Sequence, residues 1–214
     1  MERPIKIHEG TFYYSKHKVF QNLNIEILAQ KVTCILGESG AGKSTILKII
    51  SGNLELKSGR IENRPARGSY AMAYQDMRLI PHLTAVENIE YVLDSKPSSK
   101  LENKKKALFY LEALGLSGFE NFLPAELSGG MQRRTGLARA LSYPAPLLLL
   151  DEAFDSLDEK NKYKVADLFL SIVKKEKRTA VCVTHDAPFA KKIADKIIEI
   201  SDGHPKSGLH NKCP

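Results

Sequence analysis

The chain has 214 residues, 43% hydrophobic and 27% charged, which excludes disorder along its length and fits one globular domain or a core with a smaller lobe. Its 32 Lys and Arg against 25 Asp and Glu give a formal net charge of +7, but the excess is dispersed, so nucleic acid is not an expected partner. Cys34, Cys182 and Cys213 form no CxxC pair and indicate neither a disulfide framework nor a zinc ribbon. No run approaches the roughly 18–20 apolar residues of a membrane span. Residues 1–6 offer no apolar stretch of a signal peptide. Any membrane role is therefore expected to need a second chain.

The first thirty residues read as β-structure. Ile5, Ile7 and Phe12-Tyr13-Tyr14 lead into a segment where Leu23, Ile25 and Ile27 alternate with polar residues. Lys31 to Leu36 predicts a short buried strand ending at a glycine-rich turn. Lys43 to Ser51 then shows helical spacing, stopped by Gly52. The middle of the chain predicts helices over Thr84–Leu93, Lys104–Leu114 and Gly129–Leu141, with Thr84 and Glu87 at capping-box positions. The last third alternates again. Strands are expected at Leu147–Leu150, Thr179–Val183 and Lys196–Ile200, with helices at Glu159–Lys174 and Phe189–Ala194. Such alternation implies a mostly parallel α/β sheet. The tail from Asp202 reads as loose.

Three motifs carry chemistry. Gly37-Glu38-Ser39-Gly40-Ala41-Gly42-Lys43-Ser44 matches GxxxxGK[ST] between a strand and a helix. Its glycines let backbone N–H groups close around phosphate oxygens, and the following helix offers its positive end. Lys43 supplies a point charge to the β- and γ-phosphates, and the Ser44 hydroxyl can ligate Mg²⁺. Leu147 to Leu150 delivers Asp151 and Glu152 at a strand end, where ligands bind in open α/β sheets. Asp151 suits Mg²⁺, and Glu152 suits a general base for water. Leu127-Ser128-Gly129-Gly130-Met131-Gln132 places an N-cap serine before a helix with uncovered N–H groups, a second anion-binding start.

Taken in order, GESGAGKS, Gln75, LSGGMQ, LLLLDE, SLD and His185 resemble the nucleotide-binding subunit of ABC transporters, from Tyr13/Tyr14 to about Gly203. The stretch from Tyr74 through Thr84 resembles the segment after the Gln loop in nitrate/sulfonate/taurine-type importer ATPases. The resemblance implies a P-loop NTPase fold with a RecA-like parallel-sheet core, an N-terminal antiparallel β subdomain and a helical insertion. The core lobe is expected over about 1–75 and 143–203, the helical lobe over about 76–142, and the loose tail over 204–214.

It also implies roles. Tyr14, or Tyr13, stacks on adenine. Gly37 to Ser44 and Thr45 hold ATP, with Mg²⁺ on Ser44, Gln75 and Asp151. Glu152, His185, Lys43 and Gln75 act in hydrolysis. Ser128, Gly129, Gly130 and Asp158 meet nucleotide across a homodimer, and Ser156-Leu157-Asp158 passes between the two copies. Met77 to Leu83 docks a membrane permease, with a solute-binding protein as further partner and the cytoplasmic membrane face as location. Ala153 stands where the family usually has Pro.

Two other functions compete with transport. An ABC ATPase of a lipid- or lipoprotein-handling system, or a cell-division regulator that moves no solute, would carry the same motifs. A small-molecule kinase would need to exclude water and would not place a hydrolytic base there, so LSGG and the Asp151-Glu152 pair argue against it.

Overall fold

Apolar alternation near the N-terminus becomes a hairpin of long strands. The computed structural model describes residues 1–66, 68–76, 78–95, 99–155, 157–201 and 204–209. In it, β1 (Ile5–Tyr14) pairs antiparallel with β2 (His17–Ile27), setting Ile5 opposite Ile27 and Ile7 opposite Ile25. All four side chains are buried, each contributing about 1.5–3 kcal/mol of apolar transfer. β3 (Val32–Gly37) and α1 (Lys43–Ile50) follow. β4 (Ser58–Glu62) then pairs with the other edge of β1, completing a sheet of order β2-β1-β4. β4 is absent from the sequence reading, because its mostly exposed SGRIE carries no apolar alternation.

Contacts divide the chain into two units. The first comprises Met1–Tyr70, Ala145–Glu152 and Leu170 onward. Besides the β2-β1-β4 sheet it holds β6 (Leu147–Asp151), β7 (Thr179–Val183), β8 (Lys196–Ser201) and β9 (His204–Leu209). The strands run in the order β6-β7-β3-β8-β9, parallel through β8, with β9 antiparallel at the edge. β6 and β7 are buried at every position, which is why they read as unbroken apolar runs. Cys34 on β3 faces Cys182 on β7 in register; both are free and buried. Burial, and next the hydrogen bond with Cys34, push the Cys182 thiol well above its ordinary pKa. The tail differs from its sequence reading. His204–Leu209 pairs with β8 although its composition is polar, since edge pairing is made by backbone groups.

The second unit comprises Ala71–Pro144 and Ala153–Phe169. In sequence, β5 (Tyr70–Ala73) leads into it. α2 (Ala85–Leu93) opens with a complete Thr84–Glu87 capping box. α3 (Lys100–Ala113) begins one turn before its expected start. A second capping box, Ser99 with Glu102, sets that start, while the buried face begins only at Asn103 and Ala107. α4 (Gly129–Ser142) starts where Ser128 accepts the Met131 N–H. α5 (Glu159–Lys175) runs from this unit back into the first, and α6 (Ala187–Ile193) lies in the first, capped by Asp186.

Candidate nucleotide site

The glycine-rich loop leaves β3 at Gly37 and enters α1 at Lys43. Gly42 sits at φ +92°, and a Cβ there would lie 2.5 Å from the Phe20 ring. Only glycine meets both demands, so the loop folds tightly over the N-terminal sheet. The Lys43 side chain is buried and bends back over the loop, its ammonium donating to the Gly37 and Glu38 carbonyls at 2.9 and 2.7 Å. A cavity of about 710 Å³ opens beside the loop, with Glu38, Ser39, Gly40 and Ala41 on one wall and His17, Lys18 and His204 among its other lining residues.

Ser44 and Asp151 meet directly. The Ser44 hydroxyl donates to Asp151 Oδ1 at 2.9 Å, across the junction of α1 and β6. Asp151 is only 4% exposed. Burial raises its pKa, the Ser44 bond partly offsets this, and the neighbouring Glu152 charge raises it again. Two hard oxygen donors side by side, one a buried carboxylate in need of positive charge, fit Mg²⁺.

Glu152 has a feature that no residue pattern announces. Its φ is +50°, a left-handed conformation costing a non-glycine residue about 1 kcal/mol or more. Its N–H donates to the Val183 carbonyl at 3.0 Å, which fixes that turn against β7. A carboxylate oxygen of Glu152 and a ring nitrogen of His185 lie within 4.8 Å of each other. His185 follows β7 just after Thr184, whose N–H donates to the Ile35 carbonyl. Lys43, Ser44, Asp151, Glu152 and His185 thus come from three adjacent strand ends of one unit. That arrangement can bind a polyphosphate and activate water beside it.

The two candidate tyrosines differ. Tyr14 is 44% exposed, and its hydroxyl lies 3.4 Å from Thr45 Oγ1 at the start of α1. Tyr13 carries the Lys57 ammonium 5.1 Å above its ring.

Gln75, Ser128, Gly129, Gly130 and Asp158 all belong to the second unit. Ser128 caps α4, and Gly129 has open space where a Cβ would stand. Gln132, unassigned from the sequence, donates to the Pro124 and Leu127 carbonyls at 2.8 and 3.1 Å and so holds the turn before Ser128. Asp158 accepts the Asn161 N–H at 3.0 Å, the N-cap arrangement its position before Glu159 suggests. That bond, before any other cause, lowers its pKa. Met77, which opens the expected docking segment, and Ser156 lie outside the described residues.

A strand, a glycine loop closing onto a helix, and paired acids ending a parallel strand define a P-loop nucleotide-hydrolysing protein. Residues 20–155 match the family model for ABC transporters. The chain is 35% identical over 211 residues to a probable ABC transporter ATP-binding protein, PEB1C, of Campylobacter jejuni, covering 93% of this chain and 87% of that one. It is 35% identical to an aliphatic sulfonates import ATP-binding protein, SsuB 2, of Pseudomonas syringae pv. tomato, over 86% of this chain and 77% of that one. A solved ATP-binding cassette, MJ0796, a dimer in a post-hydrolysis state with ADP and Pi, superposes with a TM-score of 0.86 at 28% identity, over 98% of this chain and 100% of that one. The chain belongs to the ABC transporter family, as an ATP-binding subunit with ATPase activity. The resemblance to importer ATPases drawn from its motifs holds.

Proposed function

We propose that two copies of this chain clamp ATP between them and hydrolyse it to drive solute import through a separate membrane permease. The observation that carries the hydrolytic part is the gathering of Ser44, Asp151, Glu152 and His185 at the ends of the adjacent strands β6, β7 and β3. Gly37 to Thr45 enclose the phosphates, with Lys43 providing the positive charge. Mg²⁺ held by Ser44 and Asp151, with Gln75 as a further ligand by resemblance, would neutralise charge developing on the γ-phosphate. Glu152 accepts the proton of the attacking water, and His185 contacts the γ-phosphate. Tyr14 stacks on adenine; its exposure beside Thr45 supports it over Tyr13, whose ring carries Lys57.

Ser128, Gly129 and Gly130 of each copy face the nucleotide of the other, because a capped helix start with bare glycines offers N–H groups to phosphate. Asp158 contributes to the same composite site. Closure on ATP and opening after hydrolysis is a two-state change biased by the γ-phosphate. The segment before α2, up to Leu83, takes the permease. A solute-binding protein and the cytoplasmic membrane face complete the assignment. No helix among the described residues is long and apolar enough to cross a membrane, consistent with a separate permease.

The test is to isolate the membrane protein that co-purifies with this chain and to reconstitute the two. Import predicts a stable complex whose ATP hydrolysis rises when loaded binding protein is added. A complex gated by ATP but indifferent to any solute would instead support the regulatory alternative. No ATP hydrolysis in any assembly would overturn the proposal.

A further inference from the structure

Within the second unit, two side chains hold the segment that follows Gln75. Asn88 on α2 is fully buried. Its amide reaches the carbonyls of Ile80, Leu83 and Thr84 at 3.2, 2.9 and 3.0 Å, and its Oδ1 accepts the Ile80 N–H at 2.8 Å. One side chain thus closes the turn before α2 by holding its backbone groups together. The same Oδ1 accepts from Arg139 Nη1 at 3.3 Å. Arg139, on α4, also donates from Nη2 to the Arg78 carbonyl at 2.9 Å. Arg78 in turn lies over the Tyr74 ring, 4.1 Å from its centroid, and pairs with Asp76 at 3.1 Å. The residues on both sides of Gln75 are therefore tied down, and the tie leads to α4.

A closed turn alone would need only Asn88. The guanidinium adds a link between elements. Its planar fork holds two acceptors at once, so it transmits direction as well as distance. Arg139 stands ten residues beyond Gly129, about 15 Å along a rigid helix. Arg139 thus ties the helix that begins at Gly129 to the Arg78 carbonyl.

We propose that Arg139 and Asn88 are positioning residues for hydrolysis, coupling displacement of α4 to the placement of Gln75 through residues 78–84. This rests on the assignment of Ser128 to Gly130 and Gln75 to the composite ATP site. The roles are distinct: neither residue touches nucleotide, and each acts through the backbone it holds.

The chain has no tryptophan, so a single one reports cleanly. His82→Trp places it in the held segment, at an exposed position. In the full chain carrying Glu152→Gln, ATP is expected to shift its emission. Adding Arg139→Lys, which keeps the charge but loses the fork, is expected to abolish at least four-fifths of that shift while calorimetric ATP affinity stays within twofold. In the hydrolysing chain, Arg139→Lys is expected to lower kcat about tenfold with KM within twofold, and to cost less than twofold when Gln75→Ala is already present. Arg139→Gln, which removes both the charge and the fork, serves with the same expected outcomes if the lysine variant does not fold. An undiminished emission shift, or an equal kcat loss in both backgrounds, overturns the coupling. A parent chain that hydrolyses no ATP overturns the functional assignment itself.

Discussion

The Ser44 hydroxyl donates a 2.9 Å hydrogen bond to the Asp151 carboxylate, joining residues 107 positions apart in sequence. The bond docks the first turn of the helix after the glycine loop onto the end of an apolar strand. It does so around a buried carboxylate whose pKa burial raises. Without a cation, that carboxylate is a cost to the fold.

The sign of its pH effect follows. Asp151 in the folded chain keeps its proton to higher pH than in the unfolded chain. Stability is therefore lost as pH rises from the unfolded value, about 4, through the raised folded value. Asp151→Asn removes this loss. Without Mg²⁺, the urea midpoint of the variant should gain on wild type across that window. The variant should also lose the extra stabilisation that Mg²⁺ adds to ATP in thermal melts. Parallel pH curves for the two chains would show that Asp151 carries no such cost.

Glu152 combines strain with chemistry. Replacing it by Gln keeps the backbone and removes the base, so phosphate release should fall about 10²–10⁴-fold while ATP binding persists. With ATP, gel filtration should then show a stable dimer. Glu152→Gly should be as inactive, yet melt no lower than wild type, because glycine tolerates the φ of +50° that glutamate is forced to adopt.

Two glycines of the loop separate steric from conformational need. A Cβ on Gly42 would meet the Phe20 ring at 2.5 Å, whereas one on Gly40, at φ +84°, would meet nothing within 4 Å. Gly42→Ala should cost roughly 2–4 kcal/mol, from overpacking and backbone strain together. Gly40→Ala should cost about 1 kcal/mol, from strain alone. Chemical denaturation of the two variants measures the difference, and equal losses would show that contact with Phe20 adds nothing.

For the adenine contact, Tyr14→Ala should weaken ATP binding about tenfold, in keeping with roughly 1–3 kcal/mol per stacked base. Tyr14→Phe should bind within twofold of wild type, since the ring face survives. Tyr13→Ala should leave affinity unchanged. Calorimetric titration of the three variants would reverse the assignment if Tyr13→Ala were the weaker binder.

Much of this protein is legible one residue at a time. Gly37 to Ser44, the apolar run into Asp151 and Glu152, and the Ser128-Gly129-Gly130 helix start each announce a local backbone demand, and they carried the family resemblance. The capping box at Thr84 and Glu87 marked its helix correctly. The box at Ser99 and Glu102 is not legible in the same way, because the lysines around it mask the apolar face behind it. β9 reads as loose tail in the sequence, since pairing by backbone alone leaves no apolar signature.

What the sequence determined by itself was the chemistry: a phosphate loop, two acids and a capped glycine turn are properties of neighbouring residues and their spacing. What only the tertiary structure decided was which of these groups meet. The strand order β6-β7-β3 brings Ser44 onto Asp151 and sets Glu152 beside His185, and Glu152 takes its left-handed φ where its N–H meets the Val183 carbonyl. The hold of Arg139 and Asn88 on residues 78–84 belongs to the same class. Such contacts depend on hydrogen-bond register and helix packing between distant segments, and a single chain of letters does not encode these pairwise.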